Sequence, residues 1–219
     1  MYKAIIFDND GLMIDSENAT YEEYKKYLNE LGYPFSKDLY LTFLGKSKLK
    51  IIDLFKDAYG QDFPFDQVWD EVHIRLDYRL ESNLPIKYGL IKLLDYCKEK
   101  GYKLAIATSS DRDRIDRILK PILPYFDYVI CGDEVKNSKP NPEIFLKACQ
   151  KLNVNPSEAL VIEDSESGIL AAYNGNIDVV CIPDMKYPEP EYEKKATVVL
   201  NNLLEVIEFL KTKNQEQMS

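Results

Sequence analysis

The sequence is short of everything that would anchor, staple or strongly charge a chain. No apolar run approaches the ~18 residues of a membrane span, so membrane insertion is not expected. The opening Met1-Tyr2-Lys3-Ala4-Ile5-Ile6-Phe7 meets Asp8 too soon for a signal peptide. Cys97, Cys131, Cys149 and Cys181 lie far apart, with no CxxC pair and no His at zinc-finger spacing. Four buried thiols in a reduced, cytoplasmic protein are the expectation. Basic segments are missing too: 28 Lys and Arg stand against 37 Asp and Glu, for a net charge of −9. Such a field repels a polyphosphate backbone, so nucleic acid is not an expected partner. Internal repeats and low-complexity segments are absent. A 45% apolar share, with 16 Tyr and 9 Phe, excludes a disordered chain.

What is present alternates. Ala4-Ile5-Ile6-Phe7 is a continuous apolar run ended by Asp8-Asn9-Asp10-Gly11, the pattern of a strand buried on both faces. Similar runs cover Lys103 to Ala107, Tyr128 to Cys131, Ala159 to Ile162 and Asp178 to Ile182. Helical stripes separate them: Leu90, Leu93, Leu94 and Cys97, then Ile144, Phe145, Ala148 and Leu152. Asn141-Pro142-Glu143 reads as the start of the second of these helices, with Asn141 as cap and Pro142 in the first position. Leu203 to Leu210 predicts a final helix, and Pro183, Pro188 and Pro190 an exposed connection before it. Strand–helix alternation predicts a three-layer α/β domain around a parallel sheet. Residues 16–84 differ, with no convincing strand but three amphipathic stripes. These are Tyr21, Tyr24, Leu28 and Leu31; Ile51, Ile52, Phe55 and Tyr59; and Val68, Trp69, Val72, Leu76 and Leu80, opened by Asp66 as a cap. This block predicts an inserted helical lid, leaving near Asp15 and returning near Pro85, with its aromatics as core.

Four clusters end the predicted strands, where open α/β sheets bind ligands. Asp8 and Asp10, two residues apart on a chain leaving a strand, can serve one small volume. One can attack or hold a cation while the other moves a proton. Gly11 permits the sharp turn. A calcium loop is excluded, because Met13 and Ala19 occupy the positions that need Gly and Glu. Thr108-Ser109-Ser110 suits phosphoryl oxygens or a plain helix cap. Lys139, between Ser138 and Pro140, is a cation on a proline-stiffened loop. Glu163-Asp164-Ser165 offers hard oxygens suited to Mg²⁺.

Order and spacing together resemble the haloacid dehalogenase (HAD) superfamily over nearly the whole chain. Phe7-Asp8-Asn9-Asp10-Gly11 with Asp15-Ser16-Glu17 is similar to motif one, Thr108 to motif two, Lys139 to motif three and Glu163-Asp164-Ser165 to motif four. Ala105-Ile106-Ala107-Thr108-Ser109-Ser110 and Lys139-Pro140-Asn141-Pro142-Glu143-Ile144-Phe145 resemble the β-phosphoglucomutase-like branch, which carries a helical cap at this insertion point. The resemblance implies a Rossmann-like α/β/α core over residues 1–15 and 85–219 and an all-α cap over 16–84. It further implies a Mg²⁺-dependent phosphatase acting on a small-molecule phosphate ester such as a sugar phosphate, through an aspartyl-phosphate on Asp8. In that scheme Asp10 moves the proton, and Thr108, Ser109 and Lys139 hold phosphoryl oxygens. Asp8, the Asp10 carbonyl, Asp164 and Glu163 serve the metal. Gly45, Lys46 and Lys48 match the cap's substrate loop.

The alternative is a sugar-phosphate mutase. Two departures speak against it: Thr20 stands where mutases place a His, and Lys48 where they place a phosphate-binding Arg, whose fork Lys lacks. Asp10 argues against a dehalogenase, and no cap Lys is placed for a Schiff base. The lone His73 is expected at the surface or in cap packing. Nothing in the sequence accounts for Asn9. A monomer is the default expectation, with a dimer through the cap loop or Tyr-rich surfaces as the alternative.

Overall fold

The computed structural model describes residues 1–216. Its six-stranded sheet runs β3-β2-β1-β4-β5-β6, and every pairing is parallel. The strands are β1 Ala4–Phe7, β2 Lys103–Ala107, β3 Tyr128–Ile130, β4 Ala159–Glu163, β5 Asp178–Cys181 and β6 Val198–Val199. The core helices are α5 Leu90–Glu99, α6 Arg112–Ile118, α7 Glu143–Leu152, α8 Glu166–Asn174, α9 Pro190–Glu193 and α10 Leu203–Glu216. Before them, α1 Ser16–Glu30, α2 Lys37–Leu41, α3 Lys48–Tyr59 and α4 Phe65–Ser82 form the cap.

Alternation along each strand builds two cores. Ile5, Phe7, Leu104, Ile106, Leu160 and Ile162 face the stripes of α5, α6 and α10. Ala4, Ile6, Ala105, Ala107, Val161 and Val179 face α7 and α8. Helices on both faces of a parallel sheet explain why its strands are apolar throughout. A third cluster, around Tyr24, Phe35, Phe43, Phe55, Phe63 and Val68, is built from cap residues, with Met185 of the core packed against it. The chain enters and leaves the cap side by side, where the Asp15 amide donates to the Pro85 carbonyl at 2.8 Å and Ile14 bridges Ile86.

Several local expectations shift. β6 escaped notice because it is a two-residue edge strand hung on β5. Helix α2 is likewise a single short turn, capped where Ser36 Oγ accepts from the Leu39 amide. Asp66 is no cap: α4 starts at Phe65 after Pro64, which leaves Asp66 in the first turn, favourable to the helix dipole. Leu31 lies beyond the end of α1 and is 38% exposed, so it drops out of the stripe. Helix α7 opens one residue late, at Glu143, although Asn141 Oδ1 does accept the Glu143 amide. Pro188 is buried, so the Pro-rich connection is only partly exposed. All four cysteines are buried free thiols.

Candidate active site

The strand order reverses between β1 and β4, the switch point where doubly wound sheets open a crevice at their carboxyl ends. Asp8 follows β1 directly, its amide still on the ladder through the Ile162 carbonyl at 3.0 Å. The chain then turns on the Asn9 carbonyl, which accepts the amides of Leu12, Met13 and Ile14. Gly11 sits at φ +80, and a Cβ there would lie 2.2 Å from Asp164 Oδ2. Two demands, a left-handed backbone and a close carboxylate, therefore meet at one glycine.

Lys139 is the centre of charge. Its ammonium lies 2.5 Å from Asp8 Oδ1 and 2.7 Å from Glu163 Oε1, donates to the Ala107 carbonyl at 3.1 Å and stands over the Phe145 ring. Its side chain is only 5% exposed, although a Lys before Pro ordinarily points to solvent. Burial works against its charge, but Asp8 and Glu163 outweigh it and hold the Lys139 pKa above the usual lysine range. Burial pushes Asp8 up to about 7; Lys139 pulls it down, while Glu163 and Asp10 push it up.

Glu163 is fully occupied. Oε1 takes Lys139, and Oε2 accepts from the Asp164 amide, the Ser165 amide and Ser165 Oγ, each at 2.9 Å. Thr108 is 1% exposed, donates its amide to the Ile130 carbonyl and accepts the Ser110 amide on Oγ1. Exposed Ser109 is placed by close backbone contact, since a Cβ on Gly132 would fall 2.2 Å from its carbonyl oxygen. Asp10 has its own partners: Ser110 Oγ donates to Oδ2 at 2.9 Å and Arg114 Nη1 lies 3.5 Å from Oδ1.

Oxygens of Asp8, Glu163 and Asp164 approach within 4.8 Å of one another, a donor set of hard oxygens. Glu163 already accepts four hydrogen bonds, so Asp8 and Asp164 are the freer carboxylates of this set. Burial and the neighbouring Glu163, Asp8 and Asp184 raise the Asp164 pKa, a strain that a divalent cation would relieve. Buried Asp184 Oδ2 has no hydrogen-bond partner and lies 3.3 Å from the Cβ position that Gly11 leaves open. The residues present therefore fit a small oxygen-seeking cation.

Sequence reasoning missed Asp184, whose other oxygen binds Lys87 at 2.5 Å, while Lys87 also reaches Asp15 at 3.1 Å. It missed Arg114 as well. Both are contacts between segments far apart in the chain, and only the Pro-rich loop after β5 hinted at the first. A cavity of about 290 Å³ opens between cap and core, lined by Glu17, Leu44 and Gly45 above and by Asp164, Glu166 and Asp184 below. A second, of about 200 Å³, lies within the cap between Glu17, Thr20, Tyr40, Lys46, Trp69 and His73. Gly45 and Lys46 are thus brought to these cavities. Lys48 is not among their walls; its ammonium stands 5.0 Å over the Trp69 ring. His73 stacks on Trp69 at 4.2 Å with Nδ1 2.7 Å from the Trp69 carbonyl, a cap-packing role that also borders the inner cavity. Thr20 donates to the Ser16 carbonyl of its own helix. Asn9 is fully buried with neither side-chain atom paired, and nothing in the structure explains it.

The model of the haloacid dehalogenase-like hydrolase family matches residues 5–182, and the chain belongs to that family. A phosphorylated carbohydrates phosphatase of Thermotoga maritima is 33% identical over 178 residues, covering 80% of this chain and 82% of the relative. A validoxylamine A 7′-phosphate phosphatase of Streptomyces hygroscopicus subsp. limoneus is 31% identical over 212 residues, covering 94% and 96%. The solved β-phosphoglucomutase of Clostridium difficile is 25% identical and superposes with a TM-score of 0.73, covering 100% of this chain and 99% of that one. Among the described residues, no helix is long and apolar enough to cross a membrane.

Proposed function

We propose that the chain is a Mg²⁺-dependent phosphatase that hydrolyses a small phosphorylated metabolite, with sugar phosphates as the substrate class. The observation that carries this reading is the separation of the two acids of the first motif. Asp8 is held by Lys139, and Asp10 by Ser110 and Arg114. Two carboxylates in different hands can take different roles. Asp8 attacks phosphorus, the ester oxygen departs with a proton from Asp10, and Asp10 then takes a proton from the water that cleaves the aspartyl-phosphate. Lys139 both steers the Asp8 carboxylate and neutralises phosphoryl oxygen, while Thr108 and the Ser109 amide supply donors beside it. Bound Mg²⁺, held by Asp8, Asp164 and the Asp10 carbonyl, would neutralise charge on the transferring group. Phosphoryl transfer asks chiefly for such positioning and charge neutralisation.

Both named curated relatives are phosphatases, one of phosphorylated carbohydrates, which supports this substrate class. The β-phosphoglucomutase likeness supports the rival, return of the phosphoryl group to sugar. Against it stand Thr20, turned onto its own helix, and Lys48, occupied by Trp69. The test is a panel of sugar phosphates with Mg²⁺, read for free phosphate and, with β-glucose 1-phosphate, for glucose 6-phosphate. Free phosphate is expected, abolished by chelator. Asp8→Asn should lower turnover by at least about a thousandfold while leaving the fold intact. Retention of a tenth of the activity would refute the nucleophile assignment, and glucose 6-phosphate as the main product would favour the mutase.

A further inference from the structure

Resting on the phosphatase reading above, we propose that Arg114 is a positioning residue that ties the proton-moving Asp10 to the cap through Asp77. Arg114 stands on α6, and its guanidinium is divided between two carboxylates of opposite allegiance. Nη1 lies 3.5 Å from Asp10 Oδ1 in the core, and Nε donates to Asp77 Oδ1, on cap helix α4, at 2.9 Å. The same Nη1 donates to Ser110 Oγ at 2.8 Å, and that hydroxyl donates on to Asp10 Oδ2. Both oxygens of Asp10 are thus reached from Arg114, one directly and one through Ser110.

The arrangement is built and not merely a surface pair. The Arg114 side chain is 18% exposed and Asp77 25%. Asp77 is steadied from its other side by Arg117 at 3.3 Å, and Arg117 also pairs with Glu81 one turn along α4. Only a planar fork can hold a cap carboxylate, a hydroxyl and a core carboxylate together. Asp77 lies on the last cap helix, just before the chain returns to the sheet at Pro85, so the position of α4 is felt at Arg114 with little slack.

A general acid contributes only when its proton lies within hydrogen-bond reach of the leaving oxygen. Freed of Arg114, the Asp10 carboxylate would sample other rotamers, and esters that need the proton most would suffer most. Phenyl and p-nitrophenyl phosphate separate that need from binding: the rings are alike in size, but phenolate leaves far less readily than nitrophenolate. The experiment is single-turnover release of the phenol, with KM from steady state and a thermal melt of each variant. Arg114→Ala should slow phenyl phosphate about tenfold and p-nitrophenyl phosphate less than about threefold, with KM for both within about twofold. Asp77, which pairs with Arg114 and Arg117 and lines neither cavity, offers the remote variant: Asp77→Asn should show the same bias at about threefold on phenyl phosphate. It also carries the test should Arg114→Ala fail to fold. Arg114→Lys should fall between, since it keeps the charge and loses the fork.

Equal losses on both esters, or no loss in either Asp77→Asn or a folded Arg114→Ala, would overturn the coupling while leaving the phosphatase reading intact. A parent protein that releases neither phenol, and no phosphate from the sugar-phosphate panel, would instead refute the phosphatase reading and the role of Arg114 with it.

Discussion

Gly168→Ala should destabilise this protein and disable it, although Gly to Ala inside a helix normally stabilises by about 1 kcal/mol. Gly168 lies in the first turn of α8, and a Cβ there would fall 1.8 Å from the Glu163 carboxyl carbon and Oε1, and 2.4 Å from Oε2. Ordinary contacts between carbon atoms begin near ~3.5 Å. A flexible carboxylate elsewhere would swing aside, but Glu163 is fully buried and grips Lys139, the Asp164 and Ser165 amides and Ser165 Oγ. Moving it breaks a buried charged network, at a scale of about 3–5 kcal/mol; moving α8 instead carries the overpacking cost of about 1–3 kcal/mol. The cheaper route sets the scale, so less the helix gain a net loss of up to about 2 kcal/mol follows. For a chain of this size that lowers Tm by up to roughly 8 °C. Turnover should fall as well, because Lys139 loses one of its two carboxylate partners and Asp8 loses its alignment. Melting with and without Mg²⁺, beside kcat on an aryl phosphate, reads both effects. A Tm equal to or above that of the parent would refute the claim that Glu163 is fixed.

Three further outcomes are expected. In chelator, stability should fall from about pH 4 to about pH 7, because Asp8 titrates near 7 when folded and in the ordinary carboxylate range when unfolded, with Asp164 shifted the same way. The native state binds more protons across that window, so stability is full below it and lost as pH rises. Melts at pH 5 and 8 should show this and Mg²⁺ should restore the loss; a chelated protein no less stable at pH 8 would contradict it. Asn9→Leu should raise stability by about 1–3 kcal/mol in denaturant melts, since Leu has nearly the same shape and removes two unpaired buried polar atoms; a loss would show that the amide has a partner after all. Lys46→Ala should raise KM for the best sugar phosphate and spare an aryl phosphate, whereas Lys48→Ala should leave both KM values within about twofold; equal effects of the two variants would put Lys48 back in the substrate loop.

The core was legible because each strand, and the acid or hydroxyl that ends it, is a local pattern. Ala4–Phe7 followed by Asp8, and Ala159–Ile162 followed by Glu163-Asp164, need no long-range knowledge to be placed at strand ends. What these residues touch was less legible. Resemblance brings Lys139 and Glu163 to the site, but the burial of Lys139 between two carboxylates and the amides that engage Glu163 appear only once α7 and β4 close around them. Arg114, Asp77, Lys87 and Asp184 sit in unremarkable charged sequence and acquire meaning only from partners on other elements. Leu31 and Asp66 were misread because periodicity locates a helix well and its ends poorly.

The side-by-side ends of the cap also bear on how the chain finds its fold. Strand β1 pairs with β2 and β4, so Ile5 must meet Leu104 and Leu160 across the whole inserted cap. An unstructured insertion would make that encounter a long loop closure. The cap, however, has its own apolar cluster, and its ends are joined by the Asp15–Pro85 hydrogen bond. Formed early, it shortens the loop between β1 and β2 roughly fourfold, which lowers the closure entropy by about 1 kcal/mol. The insertion that lids the crevice therefore also works as a clip, delivering the central strand to its partners, and mutations that loosen the cap core should slow formation of the sheet.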